Sequence, residues 1–188
     1  KDISAADSHT IDAIAYLICR GGWPAALNHP EKIALKQAYD FYDAVISDDI
    51  SRADGVKRNT DRTMRIMKSY ARNIATQASL ETIRADVVSN DLETFDKESL
   101  YSCLNALKMI HVIEDSPAWN PNLRSKTAIR SSDTRYFVDP SVAAAALGIG
   151  PADLINDLEL MGLMFENLCV RDLRVYADAI GGNVYHYR

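Results

Sequence analysis

Apolar residues recur at helical spacing along most of the chain, and polar or glycine-containing breaks divide the pattern into segments. Ile11, Ile14, Ala15 and Ile18 share one side of a helix over 10–19, which Gly21-Gly22 and Pro24 end. Asn28-His29-Pro30 opens a second helix with the stripe Ala34, Ala38, Phe41, Tyr42 and Val45, and a polar connection follows from Asp48 to Gly55. A third helix, about 60–76, carries Met64, Met67, Ala71 and Ile74 on one side. Ser79 caps a short helix with Leu80, Ile83 and Val87 that Ser89-Asn90-Asp91 breaks. Asp96 is the expected N-cap of a fourth helix, with Leu100, Cys103, Leu104 and Leu107 inward and Ser99, Ser102, Asn105 and Lys108 outward.

The pattern then changes period. Ile110 to Glu114 reads as a strand, a loop containing Pro117, Trp119 and Pro121 follows, and Arg135-Tyr136-Phe137-Val138 reads as a second strand. Asp139-Pro140 starts an alanine-rich helix that Gly148 ends. A long helix runs from Pro151 to about residue 178, with Leu154, Leu158, Met161, Phe165, Leu168 and Asp172 on its core side. Gly181-Gly182-Asn183 is a turn before the start of a strand at Val184 to Tyr187. The expected fold is therefore mainly α with a small β-hairpin. Its order of helix, helix, helix, strand, long loop, strand is that of a winged-helix-like module over 56–148. Residues 96–109 would hold the recognition position and 115–134 the wing. Residues 1–55 form a helical linker, and 149–188 a separate C-terminal segment.

Charge sharpens this picture. The chain has 188 residues, with 26 acidic and 21 basic, for a formal charge of −5. Arg52 to Arg72 runs against that balance, with seven basic residues and two acidic ones. Arg58, Arg62, Arg65 and Arg72 recur at offsets that line one side of the third helix. Three readings stand beside each other: a solvated helix face, contact with another protein domain or a neighbouring subunit's nucleotide, and contact with a phosphate backbone. For the phosphate reading, Lys97 and Lys108 on the fourth helix and Arg124, Lys126 and Arg130 in the wing complete the candidate surface. Glu98 on the same helix and the overall negative charge weigh against it.

Other chemistry is excluded or faint. No apolar run reaches the length of a membrane span, so no membrane partner is expected. Three cysteines do not make a disulfide framework, and each falls on an apolar helical face, which points to a reducing, cytoplasmic setting. His9, His29, His111 and His186 are too scattered for a zinc site, and no metal is expected. Asp48, Asp49 and Asp54 lack the glycine and terminal glutamate of a calcium loop. No nucleophile elbow is present. Glu166 has no cation at helical offsets, since its neighbours are Gly162, Leu163, Cys169 and Val170. It is a helix-face glutamate with a partner on another element, a catalytic metal ligand, or a plainly exposed residue.

Five strings carry a family resemblance: Gly21-Gly22-Trp23-Pro24, Ser47-Asp48-Asp49-Ile50-Ser51-Arg52, Ser69-Tyr70-Ala71-Arg72-Asn73, Tyr136-Phe137-Val138-Asp139 and Phe165-Glu166-Asn167. Their order resembles the C-terminal half of bacterial and archaeal AAA-type ATP-binding proteins that carry a domain of unknown function behind the ATPase core. The resemblance implies that ATP and Mg²⁺ belong to an N-terminal ATPase core outside this sequence, which would also be the chain's first partner. It implies no cofactor here, and the phosphate-gripping G-x-x-x-x-G-K-[S/T] loop is indeed absent from the sequence. It further implies a restriction-endonuclease-like end to the longer protein, of which 149–188 would be the front and Glu166 the only acid represented. The chain is then a non-catalytic module coupling the ATPase to a partner, or alternatively a winged-helix nucleic-acid-binding module.

Overall fold

A computed structural model describes residues 8–88, 95–119 and 132–187. Among them the chain is mainly helical, with no regular strand. Helix α1 (Ile11–Arg20) is capped by the Thr10 hydroxyl, which accepts from the Ala13 N–H. Helix α2 (Glu31–Ala44) does not stop at the polar Ser47-Asp48-Asp49 triplet. A π-helical turn at Val45–Asp49 carries it into α3 (Ile50–Arg52), so the expected connection is helical. The reason is packing: Val45, Ile46 and Ile50 are all buried, and the wider turn keeps them on one side while Asp48 and Asp49 are left outside the core.

Helices α4 (Thr60–Arg72), α5 (Leu80–Val88) and α6 (Lys97–Met109) follow. Asn59 caps α4 at the Arg62 N–H, the Ser79 hydroxyl accepts from the Thr82 N–H before α5, and Asp96 caps α6 at the Ser99 N–H. Ile66, Met67, Tyr70, Ala71 and Ile74 are the buried stripe of α4 and its C-terminal turn, while Met64 remains two-fifths exposed. The inward residues of α6 are those the spacing predicts.

Where a hairpin is expected, the residues on either side of 120–131 run antiparallel in one constant register. Ile113 lies opposite Phe137 and Ser116 opposite Thr134. The Glu114 N–H donates to the Tyr136 carbonyl, Ser116 and Thr134 exchange N–H···O bonds, and the Val138 N–H donates to the Val112 carbonyl. The other edge of 134–138 is taken by the turn after α4, where Arg135 exchanges backbone bonds with Ala75 and Thr76. The pairing is thus a set of isolated bridges rather than two strands. Ala118 makes a further bridge, parallel, to His186.

Helix α7 (Pro140–Leu147) occupies the centre of the molecule. All residues from Pro140 to Ala146 are buried, and α1, α2 and α4 pack around it. Alanine is what the position demands, because small side chains let three helix axes approach one rod. The expected long helix from Pro151 is two, α8 (Pro151–Asn156) and α9 (Leu158–Ala179). Asp157 leaves helical geometry at φ −130°, and its carboxylate caps the Leu160 N–H. The break shifts the phase of the core side, so Met161, Met164 and Asn167 are buried while Leu158 and Phe165 face outward. One apolar core joins residues from Ala15 to Met164, drawing on all three expected segments.

Candidate functional site

Arg58 does not join the other arginines on the expected stripe of α4. Arg58 precedes the cap of α4 and turns inward, with its side chain only 8% exposed. Its guanidinium donates to both carboxylate oxygens of Asp54 (2.8 and 2.6 Å), to the Ile50 carbonyl (2.8 Å), and to the Ser102 carbonyl and hydroxyl (3.1 and 2.9 Å). It ties α3, the following turn and α6 together. The hydrogen bonds from Arg58 hold the Asp54 carboxyl down at about 2. Arg62 lies over the Phe95 ring, 5.2 Å from its centre. Arg72 pairs with Asp86 at 3.7 Å, Lys97 with Glu81 at 3.2 Å, and Lys108 with Asp115 at 2.7 Å. Arg65, three residues on from Arg62, lies beside Lys68 and the end of α7. Arg124, Lys126 and Arg130 lie outside the described residues.

Arg58 and Arg62 do meet in one place, a cleft of about 350 Å³ between the start of α4 and the start of α6. Its two walls carry opposite charge: Lys57, Arg58 and Arg62 on one side, Asp96 and Glu98 on the other. Ile66, Phe95 and Cys103 supply apolar surface, and Asn59, Ser99 and Ser102 supply polar groups. The N-terminus of each helix opens here, but each already holds its own cap, from Asn59 and Asp96. Backbone N–H bonds from Ser99 also lower the Asp96 pKa, which keeps a negative charge in the cleft. Such a lining suits a segment of mixed charge with an apolar anchor, and it opposes a run of phosphates.

The thiols among the described residues are not activated. Burial pushes the Cys103 thiol up to about 11, so it stays protonated and is a poor nucleophile. Cys19, up to about 12, is equally inert. Cys169 departs from its expected place, since it is exposed on α9. Among the described residues no group of three His, Cys, Asp or Glu side chains converges as a metal site. Glu166 has its partner on another element: it accepts a 2.6 Å hydrogen bond from the Tyr136 hydroxyl. Burial and this carboxylate raise the Tyr136 pKa, so the phenol keeps its proton. No described helix is long and apolar enough to cross a membrane.

Several of the resemblance strings converge on a second polar centre. Asp139 caps α7 by accepting from the Ser141 N–H and hydroxyl, while its other oxygen accepts from the Gly22 N–H and Arg171, each at 2.8 Å. The Trp23 indole donates to the Ser141 hydroxyl at 2.9 Å. Nearby, the buried Asn167 amide closes two bonds onto the Phe137 backbone, 3.0 Å from the N–H and 2.8 Å to the carbonyl. A third centre joins the Tyr70 hydroxyl, Asp115, Arg135 and Lys108. Sequence gave no sign of these centres, because each partner set spans tens of residues. Around Asp139 and Asn167 the hydrogen bonds are saturated and close to the backbone, so they fix elements rather than offer a site.

Residues 11–153 match the family model described as Domain of unknown function (DUF8612). No curated protein and no solved structure matches the chain.

Proposed function

The chain belongs to the family described as Domain of unknown function (DUF8612), and from the cleft within that domain we propose that it is a non-catalytic module coupling a protein partner to a larger assembly. The observation that carries this reading is the cleft's opposed charged walls around Phe95 and Ile66. The sequence resemblance supplies the partner: the ATPase core of an AAA-type ATP-binding protein of which this chain is the C-terminal part. Arg62, which lies over Phe95 at the apolar anchor of the cleft, is the cation an incoming segment would meet beside that ring.

The second reading is a winged-helix nucleic-acid-binding module. It is favoured by the antiparallel register around 112–116 and 134–138 directly after α6, and by exposed Arg65 and Lys68. The pairing of Arg72, Lys97 and Lys108 with acids of the same chain weakens it. A nuclease-like role for 149–188 would require Glu166 to give up the Tyr136 hydroxyl for a metal.

One pair of measurements separates these. In the longer protein, Arg62→Glu changes ATP turnover several-fold at temperatures where the variant remains folded; unchanged turnover removes the coupling role. Duplex and single-stranded DNA are titrated against salt with the isolated chain. Binding that falls steeply with salt and vanishes in an Arg62/Arg65/Arg72 triple alanine variant would establish the nucleic-acid reading instead.

A further inference from the structure

Helix α9 has two apolar sides, and the other described residues cover only one. Met161, Met164 and Asn167 bury the first. Almost opposite them, Leu158, Gly162, Phe165, Cys169, Leu173, Tyr176 and the terminal Ile180 fall within one narrow arc by helical spacing. All seven are exposed: Leu158 by 60%, Leu173 by 53%, Tyr176 by 67% and Ile180 by 86%, with Phe165, Cys169 and Gly162 also open. The stripe runs the length of a 22-residue helix, about 33 Å at the usual rise.

The intervals along the stripe are four, three, four, four, three and four, so it reads the same from either end about Cys169. A second copy laid antiparallel places Leu158 against Ile180, Phe165 against Leu173 and Cys169 against itself. It also places Gly162 against Tyr176, the smallest side chain against one of the largest. Nothing among the described residues explains that glycine: a Cβ built on it meets no atom within 4 Å, and glycine inside a helix costs about 1 kcal/mol relative to alanine. Two of the acids flanking the stripe are already engaged, Glu166 by Tyr136 and Asp172 by Arg171.

We propose that the chain forms a two-fold dimer through antiparallel pairing of α9 with α9 of a second copy, centred on Cys169. The contact is isologous, as two-fold symmetry requires, and closes on itself. One helix per copy is a small interface, so the dissociation constant is about micromolar. The proposal is independent of the cleft and of any ATPase.

Sedimentation of the full chain up to about 0.1 mM should show a concentration-dependent dimer. Phe165→Lys and Leu173→Glu, each at an exposed position, should separately raise the dissociation constant at least tenfold. The double variant should restore the dimer, because antiparallel pairing sets each lysine against the glutamate of the other copy, whereas parallel pairing would set like against like. A short bismaleimide should link the native dimer through Cys169 and fail with Cys169→Ser. A chain that stays monomeric, a dimer indifferent to both single variants, or a double variant weaker than either single one would overturn the proposal; the first would leave the stripe to another segment or partner.

Discussion

Asp139 accepts four hydrogen bonds, and two of them come from residues more than thirty positions away. What lets the chain reach it is Gly21. That residue holds φ +72°, and a Cβ there would lie 2.3 Å from the Ser141 hydroxyl and 2.7 Å from both the Asp139 carboxylate and the Trp23 indole nitrogen. Backbone strain and close approach therefore act together. Gly21→Ala should lower the unfolding free energy by about 3 kcal/mol in urea denaturation, well beyond the effect of a left-handed backbone alone. An unchanged midpoint would show that the α1 end is free to move aside.

At the scale of elements, the turn between α3 and α4 is pinned by a single ion pair. Asp54 titrates at about 2 when folded, against 3.8 ordinarily, because Arg58 hydrogen-bonds its charged form. A depressed folded pKa means that the stabilisation is present above the unfolded pKa and is lost as pH falls through the folded value. Asp54→Asn should thus flatten the stability profile between about pH 4 and pH 2, as followed by circular dichroism, while lowering stability at neutral pH. A profile identical to the parent's would mean that Arg58 is held by Ile50 and Ser102 without its carboxylate.

Elements whose ends carry their own chemistry were legible in the sequence: α1 ends at Gly21, α6 begins at Asp96, and α7 lies between Asp139 and Gly148. The centrality of α7 was not, because a run of alanines has no polar side to show which way it faces. Nor was the break at Asp157, where no proline or glycine marks it and only the capped Leu160 N–H reveals it. The cleft was half legible. Spacing singled out Arg58 and Arg62, but Asp54, Ser102 and Phe95, which decide what those arginines do, belong to other elements.

For the whole molecule, the family match ends at residue 153, whereas the core continues into α9 through Met161 and Met164. Asn167 fastens this last helix to the rest by bonding both polar groups of the Phe137 backbone. Asn167→Leu strands those groups away from water and should cost about 3 kcal/mol. Hydrogen exchange should show the loss first in α9, with α1 and α4 still protected. Uniform loss of protection would instead make α9 inseparable from the domain.

The central place of α7 has a consequence for how the protein is made. Helices α1, α2 and α4 emerge from the ribosome long before the rod they surround, since α7 begins only at Pro140. Until then their apolar faces have no common centre, and the nascent polypeptide must carry them incompletely buried, α1 through more than a hundred residues of synthesis and α4 through about seventy. Folding is thereby deferred to the arrival of a few alanines, and a chain released before Leu147 would be a natural client for chaperones.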